Sequence, residues 1–292
     1  MRPLLFNRSP SMPHQGNCTV SSFQQQAAQL LPGGESALEM DLLLVHVTAK
    51  SRTWLRTWPD QVLSDTQVTE LLALLRRRRT GEPIAYILGE QAFWTLQLRV
   101  TPDVLIPRPD TECVVEKVLE LGKGLRWRVA DLGTGSGAIA LSLAKEHPDW
   151  DVTATDLSHA ALAIAQENAK RNDIKQVSFL QGSWLSPLSG HYHCIVSNPP
   201  YIDGADPHLL SLTHEPQSAL VADDAGLADL WNIAQLSGNF LSPDGWLVLE
   251  HGHDQHDTVQ ALLKQSGFVA VDSGKDYGGN WRYTFGQQPH AD

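Results

Sequence analysis

The chain has 292 residues, 42 % of them apolar and 19 % charged, an ordinary globular composition with room for a well-buried core and more than one domain. Its net charge of −11 is uneven: residues 1–110 carry 11 basic and 10 acidic residues, residues 111–292 carry 11 basic and 23 acidic. The acidic second part repels a phosphate backbone and argues against non-specific duplex binding. Three cysteines without short spacing, Cys18, Cys113 and Cys194, give no disulfide framework or zinc ribbon. No apolar run is long enough to span a bilayer and no signal-peptide core follows Arg2 or Arg8, so a cytoplasmic location is expected.

Residues 1–22 read as a polar, proline-containing tail without stable structure. Residues 23–90 read as a small all-helical domain. A first helix over Phe23 to Leu31 is stopped by Pro32-Gly33-Gly34. A second, from Glu35 to Ala49, carries Leu38, Leu42, Val45 and Ala49 at helical spacing. A short aromatic one over Ser51 to Trp58 ends at Pro59, and one from Asp65 to Arg79 is capped by Ser64. Arg76 to Arg79 close that helix, either as a solvated end favoured by the helix dipole or as a patch facing RNA or the ribosome. Residues 91–108 read as a hairpin linker, with Phe93 to Val100 as one arm and Val104-Leu105-Ile106 as the other. Asp110 or Thr111 is placed to cap a helix running to Leu121.

From 109 to 288 strands and helices alternate. Strands are expected at Trp127–Asp131, Asp151–Asp156, Val177–Leu180, Tyr192–Ser197, Trp246–Glu250, Phe268–Asp272 and Trp281–Phe285. This is the pattern of an α/β, mostly parallel seven-stranded sheet covered on both faces. The connection through Gly274, Gly278 and Gly279 is too short for a crossover helix, so the seventh strand returns antiparallel.

Two stretches carry chemistry. Asp131-Leu132-Gly133-Thr134-Gly135-Ser136-Gly137 lies between a short buried strand and an apolar helix, where glycines permit a tight turn and close approach of a ligand. Asp156, 21 residues past Gly135 and at the end of the second strand, can accept hydrogen bonds from two ribose hydroxyls. Together they point to a nucleoside-containing ligand. A nicotinamide dinucleotide favours Gly-x-Gly-x-x-Gly spacing, which is not present; S-adenosyl-L-methionine has no phosphate and carries positive charge that welcomes nearby acids. Trp184, after the third strand, is placed to cover an adenine face. The second stretch, Asn198-Pro199-Pro200-Tyr201, ends the fourth strand at the edge where open α/β sheets bind ligands. The Asn198 side-chain carbonyl and the Pro199 backbone carbonyl can both accept from one planar –NH₂ group, and Tyr201 can stack on its plane. Such a grip suits a nitrogen whose lone pair is delocalised, through positioning and preorganised electrostatics, with no metal required. His251, His253 and His256 do not offer a tetrahedral zinc set.

The glycine motif with Asn198-Pro199-Pro200-Tyr201 resembles Class I, Rossmann-like adenosylmethionine-dependent amino-methyltransferases. Further stretches narrow the resemblance to the bacterial peptide chain release factor glutamine methyltransferases: Gly81-Glu82-Pro83-Ile84-Ala85-Tyr86-Ile87, Phe93-Trp94, Ile106-Pro107-Arg108-Pro109-Asp110-Thr111-Glu112, Glu215-Pro216, Leu249-Glu250-His251-Gly252, and Asp276-Tyr277-Gly278 with Arg282. The resemblance implies a helical domain that docks the substrate, a β-hairpin linker and a methyltransferase domain. It implies transfer of methyl from S-adenosyl-L-methionine to the glutamine amide of the Gly-Gly-Gln motif in class I release factors. Carried over, Gly133, Thr134, Gly135, Ser136, Gly137, Asp156, Trp184 and Asn198 hold the cofactor, and Asn198, Pro199, Pro200 and Tyr201 receive the glutamine. Ser183 departs from the acid usual before that tryptophan. Glu215 falls in the long 202–226 loop and is expected to order it. The expected protein is a monomer with no metal, membrane or stable nucleic acid. The alternatives are a nucleic-acid adenine N6-methyltransferase, which would need a flipping pocket and a basic groove, and a non-catalytic protein that binds release factors or ribosomes.

Overall fold

A computed structural model describes residues 18–31 and 34–290. They form two compact units, divided between Leu88 and Gly89.

The first unit is helical: α1 (Val20–Gln25), α2 (Ala27–Leu30), α3 (Ser36–Thr48), α4 (Arg52–Thr57), α5 (Asp65–Arg79) and α6 (Ile84–Leu88). Phe23, Met40, Leu43, Leu44, Leu55 and Leu71 bury completely in its core. Of the expected tail, residues 1–17 lie outside the described residues. Residues 18–22 correct the expectation: Thr19 and Ser22 form a capping box that starts α1, and Val20 is fully buried. The single helix expected over Phe23 to Leu31 is two short ones; Pro32 and Gly33, expected to stop it, lie outside the described residues. Ser64 caps α5 as expected, in a second capping box with Gln67. Of the four arginines, Arg77 donates to Glu82 at 2.8 Å and Arg78 to Glu39 at 2.9 Å, while Arg76 and Arg79 are exposed.

The second unit opens with a hairpin of β1 (Glu90–Phe93) and β2 (Leu96–Arg99). The expected arms are corrected here: the turn is Trp94-Thr95, and 104–106 is not a strand. Trp94 adopts the left-handed conformation, φ 55°, that two-residue hairpin turns normally assign to Gly or Asn. Tertiary contacts hold it there. Its backbone N–H donates to Glu112 and its indole N–H to Glu146, each at 2.8 Å.

Next come α7 (Glu112–Leu121), β3 (Arg128–Leu132), α8 (Ala138–Glu146), β4 (Asp151–Asp156), α9 (His159–Arg171), β5 (Val177–Gln181) and β6 (Tyr192–Ser197). A loop with a small parallel pair, β7 (Ile202–Asp203) and β8 (Val221–Ala222), leads to α10 (Ala228–Ser237), β9 (Leu241–Glu250), α11 (His256–Gln265), β10 (Val269–Lys275) and β11 (Trp281–Gln287). The seven-stranded sheet has the order β10-β11-β9-β6-β3-β4-β5, and β11 alone runs antiparallel to both neighbours. This is the mostly parallel seven-stranded sheet expected from the alternation of elements, with the antiparallel strand where the short glycine connection placed it. The central strands read as nearly continuous apolar runs because both faces are covered. Val129, Val152, Cys194, Val196 and Val248 fall in one core cluster, and Ala130, Leu132, Ile195, Leu247 and Leu249 in another.

Candidate active site

Strands β3, β4 and β6 lie side by side in parallel, so their carboxyl ends come together: Leu132 pairs with Thr155 on one side and Ser197 on the other. The loops leaving these ends bring Gly133–Gly137, Asp156–Ser158 and Asn198–Tyr201 to one edge of the sheet, the usual ligand crevice of such folds. The Ser197 hydroxyl donates to the Leu132 carbonyl at 2.7 Å and fixes two of the ends together.

A cavity of about 560 Å³ opens there. Gly133, Gly135, Asp156, Trp184, Asn198 and Pro200 line it, with Asp103, Leu105, Ser158, Ser183 and Asp229 among the others. Each Asp156 oxygen has one bond, from Gly135 N–H at 2.9 Å and from Ser158 N–H at 2.8 Å, and retains capacity to accept from a ligand. Trp184 is held in the left-handed region, φ 49°, and the Thr155 hydroxyl donates to its carbonyl at 3.0 Å. Its ring closes over Gly133: at φ +68°, a Cβ there would lie 3.0 Å from the indole. Strain of this kind in a cavity wall marks a conformation the surroundings impose. Asp229, on α10, accepts from the Trp184 indole; burial raises its carboxyl against that bond.

Among the described residues the lining contains three carboxylates, Asp103, Asp156 and Asp229, and no lysine, arginine or histidine. That donor set suits a nucleoside-sized, positively charged ligand without phosphate. S-adenosyl-L-methionine fits it; a dinucleotide, with two negative phosphates, does not.

Thr134, Ser136 and Gly137 are brought to the loop but do not line this cavity. They shape it instead. Asp131 is fully buried and accepts from the Thr134 hydroxyl at 2.7 Å and from Ala140 N–H at 3.1 Å, which ties the turn to the start of α8. Burial pushes the Asp131 carboxyl up to about 6. The Ser136 carbonyl accepts from Asn168, whose side chain also bonds both backbone groups of Arg99 and so joins the hairpin to the glycine turn.

A second cavity of about 330 Å³ is lined by Leu105, Arg108, Asn198, Pro199, Tyr201 and residues of the 202–226 loop. Asn198 and Leu105 line both cavities. Asn198 Nδ2 donates to the Thr111 hydroxyl at 3.3 Å, and the Tyr201 hydroxyl donates to Glu250 at 3.3 Å. Tyr201 is partly buried, and burial of its phenol, with the Glu250 carboxylate adding to it, raises that group. Gly226, at φ +82°, passes so close that a Cβ would lie 2.2 Å from the Tyr201 carbonyl oxygen. Glu215 is buried; one oxygen accepts from Ile106 N–H at 3.1 Å and the other pairs with the Arg108 guanidinium. It therefore holds the loop to the 106–108 segment.

Asp103 and Asp229 carried no signal in the sequence; Thr111 and Glu250 lie in stretches that resemble the family, but nothing there gave them a role toward Asn198 or Tyr201. Thr111 corrects an expectation as well. It precedes α7 but makes no side-chain cap bond, and neither does Asp110, which pairs with Arg282 at 3.4 Å. The histidines do not assemble. His251 is buried with its pKa lowered to about 4 by desolvation, bonded to Gly252 O and Thr284 Oγ1. Among the described residues no group of three or more His, Cys, Asp or Glu is placed to hold a metal ion.

Comparison with known proteins extends this picture. Residues 23–89 match the PrmC N-terminal domain and residues 111–218 the Methyltransferase small domain. The release factor glutamine methyltransferase of Vibrio cholerae is 49 % identical, covering 86 % of this chain and 89 % of its own length. That of Escherichia coli K12 is 44 % identical, covering 90 % and 96 %. Among solved structures, a Pyrococcus furiosus methyltransferase shares the fold (TM-score 0.53, 19 % identity, covering 68 % of this chain and 91 % of that one). So does a Thermus thermophilus 16S rRNA N2 G1207 methyltransferase solved with AdoMet and guanosine (TM-score 0.53, 20 % identity, covering 68 % and 49 %). With such identity over nearly its whole length, the chain belongs to the release factor glutamine methyltransferase family.

Proposed function

We propose that the protein transfers a methyl group from S-adenosyl-L-methionine to the N5 side-chain amide of the glutamine in the Gly-Gly-Gln motif of class I peptide chain release factors. The observation that carries this reading is that Asn198 lines two cavities at once, one acidic and nucleoside-sized, the other small and bounded by Pro199 and Tyr201. An amide group entering the second cavity meets the first at Asn198.

When bound, S-adenosyl-L-methionine supplies an electrophilic methyl group on a sulfonium. Gly133, Gly135, Asp156 and Trp184 hold it, while Thr134, Ser136 and Gly137 fix the turn that does so. Asn198 Oδ1 and the Pro199 carbonyl accept the two N–H groups of the glutamine amide. They restrain its plane and polarise the N–H bonds, so that charge developing on nitrogen is stabilised by groups already in place; the sulfur would leave as the neutral thioether S-adenosylhomocysteine and one amide proton would pass to solvent. Pro199 and Pro200 lack N–H donors, which leaves carbonyls as the only backbone groups they present. Tyr201 packs on the amide plane. The helical unit, residues 23–88, is the docking module for the release factor in this reading, and the protein acts as a monomer. Among the described residues no helix is long and apolar enough to cross a membrane.

The test is radiolabelled methyl transfer to unmethylated release factor, with a Gly-Gly-Ala release factor and adenine-containing DNA and RNA run in parallel and the mark located by mass spectrometry. The expected mark is on the glutamine amide, absent from the Gly-Gly-Ala substrate and about 100-fold slower in Asn198→Ala. Methylated adenine, or no mark on any substrate, overturns the reading.

A further inference from the structure

The Asn198 side chain has chemically opposite ends: its oxygen accepts and its nitrogen donates. The function proposed above needs the oxygen toward the acceptor glutamine. An Asn198 rotated end for end would set N–H against N–H and could not hold the substrate amide. The backbone of Asn198 does not decide between the two orientations, so a neighbour must.

That neighbour is Thr111. Its hydroxyl takes the Asn198 Nδ2–H at 3.3 Å. Thr111 is 4 % exposed and free of the helix-capping bond its position would offer. Behind it stands Glu250, at the end of β9 and 1 % exposed. Glu250 Oε1 accepts from the Tyr201 hydroxyl, Oε2 is buried with no hydrogen-bond partner, and the Thr111 hydroxyl is near enough to lower this carboxyl against its burial. A buried carboxylate oxygen demands a donor. A carboxylate can only accept, and a threonine hydroxyl has one proton. Once that proton faces Glu250, only lone pairs of Thr111 remain for Asn198.

We propose that Thr111 and Glu250 are positioning residues for the methyl transfer: Glu250 takes the Thr111 hydroxyl proton, Thr111 must then accept from Asn198 Nδ2, and Asn198 Oδ1 is turned toward the acceptor amide. The relay rests on the function proposed above and deepens it by assigning the groups that orient Asn198. It works only while Glu250 is a carboxylate, because a carboxylic acid can donate to Thr111 and releases the constraint. The charged and titratable groups around Glu250 are Arg282, which is paired with Asp110 and Asp276, together with Tyr201, Cys113 and the adjoining neutral His251. Burial outweighs the attraction of Arg282 and pushes the Glu250 carboxyl up to about 7.

The test compares Thr111→Val, Thr111→Ser and Glu250→Gln with the wild type in single-turnover methylation of release factor between pH 6 and 8.5. Binding of S-adenosylhomocysteine is measured by calorimetry on each variant. Thr111→Val is expected to lower the rate about 10- to 100-fold, with cofactor-product affinity within about twofold, and Thr111→Ser to recover most of the rate. Adding Thr111→Val to Asn198→Ala is expected to cost nothing further, since the relay acts only through Asn198. The wild-type rate is expected to fall on the acid side of about pH 7, and Glu250→Gln to remove that limb. A Thr111→Val rate within twofold of wild type, a serine variant no faster than the valine one, losses that multiply in the double variant, or parallel loss of S-adenosylhomocysteine binding overturns the relay. Wild type that does not mark glutamine overturns the proposed function, and the relay with it; that outcome is read in the wild-type reaction alone and is distinct from the variant results.

Discussion

Glu250 and His251 are adjacent buried titratable groups whose effects on stability have opposite pH dependence. Burial holds the folded Glu250 carboxyl near 7, above its ordinary 4.5. Below pH 4.5 both folded and unfolded chains carry its proton, and it makes no difference. Between 4.5 and 7 the unfolded chain gives the proton up while the folded one keeps it, so stability falls as pH rises, and above 7 the whole penalty applies. His251, lowered from 6.5 to about 4, acts the other way: its contribution is lost as pH falls below 6.5. Melting temperatures of wild type and Glu250→Gln across pH 4 to 9 separate the two. The gap between the curves is expected to move in favour of the glutamine variant from about pH 4.5 to 7 and then level off. A constant gap sinks this assignment. The same residue shows where reading from the sequence stops. Asn198 and Asp156 were legible because each sits in a short motif at the end of an apolar strand, where chain order alone gives the geometry. Thr111 and Glu250 reach Asn198 and Tyr201 across 87 and 49 residues of sequence; the stretches that hold them mark the family, but their positions do not announce these partners. Asp229 likewise reads as an unremarkable acid in the first turn of α10 until the fold sets it against Trp184.

At the level of elements, the walls of both cavities depend on segments that are neither helix nor strand. Leu105 lines both cavities, and the chain beside it is anchored by Glu215 through Ile106 N–H and Arg108. Removing the Glu215 carboxylate leaves a buried N–H without an acceptor and a guanidinium without its partner, a loss of about 1–3 kcal/mol. Glu215→Ala is therefore expected to lower the melting temperature by several degrees and to raise KM for both release factor and S-adenosyl-L-methionine, because one wall serves both. Glu215→Gln keeps an acceptor for Ile106 and is expected to lie between. Normal KM values for both substrates in Glu215→Ala would remove this role. The loop's ordering residue was visible in sequence as an isolated Glu-Pro; its partner segment was misread as a hairpin arm. The true turn, Trp94-Thr95, has no turn-forming residue, because Glu112 and Glu146 rather than local preference hold Trp94 in place. Periodicity reports strands and helices, and it is silent about segments fixed by a distant carboxylate.

On the scale of the molecule, each of the two compact units has its own buried core. Every residue lining the two cavities, from Asp103 to Asp229, belongs to residues 89–292. In the proposed function cofactor binding falls to the second unit, whereas recognition of a large protein substrate is assigned to the helical unit, whose surface exposes Trp58, Val62, Arg76 and Arg79. Exposed aromatic and arginine side chains are the types that dominate protein–protein binding energy. A chain of residues 89–292 is then expected to bind S-adenosylhomocysteine within about threefold of the full-length protein, since it retains every described residue that lines that cavity. Its kcat/KM for intact release factor is expected to fall about 100-fold or more, the equivalent of about 2.7 kcal/mol of docking energy. A short Gly-Gly-Gln peptide, too small to use a remote docking surface, is expected to be methylated equally by both forms. Equal loss on peptide and release factor would mean that the helical unit supports the catalytic geometry rather than the docking, and loss of S-adenosylhomocysteine binding would mean that the second unit does not keep its cavity without the first.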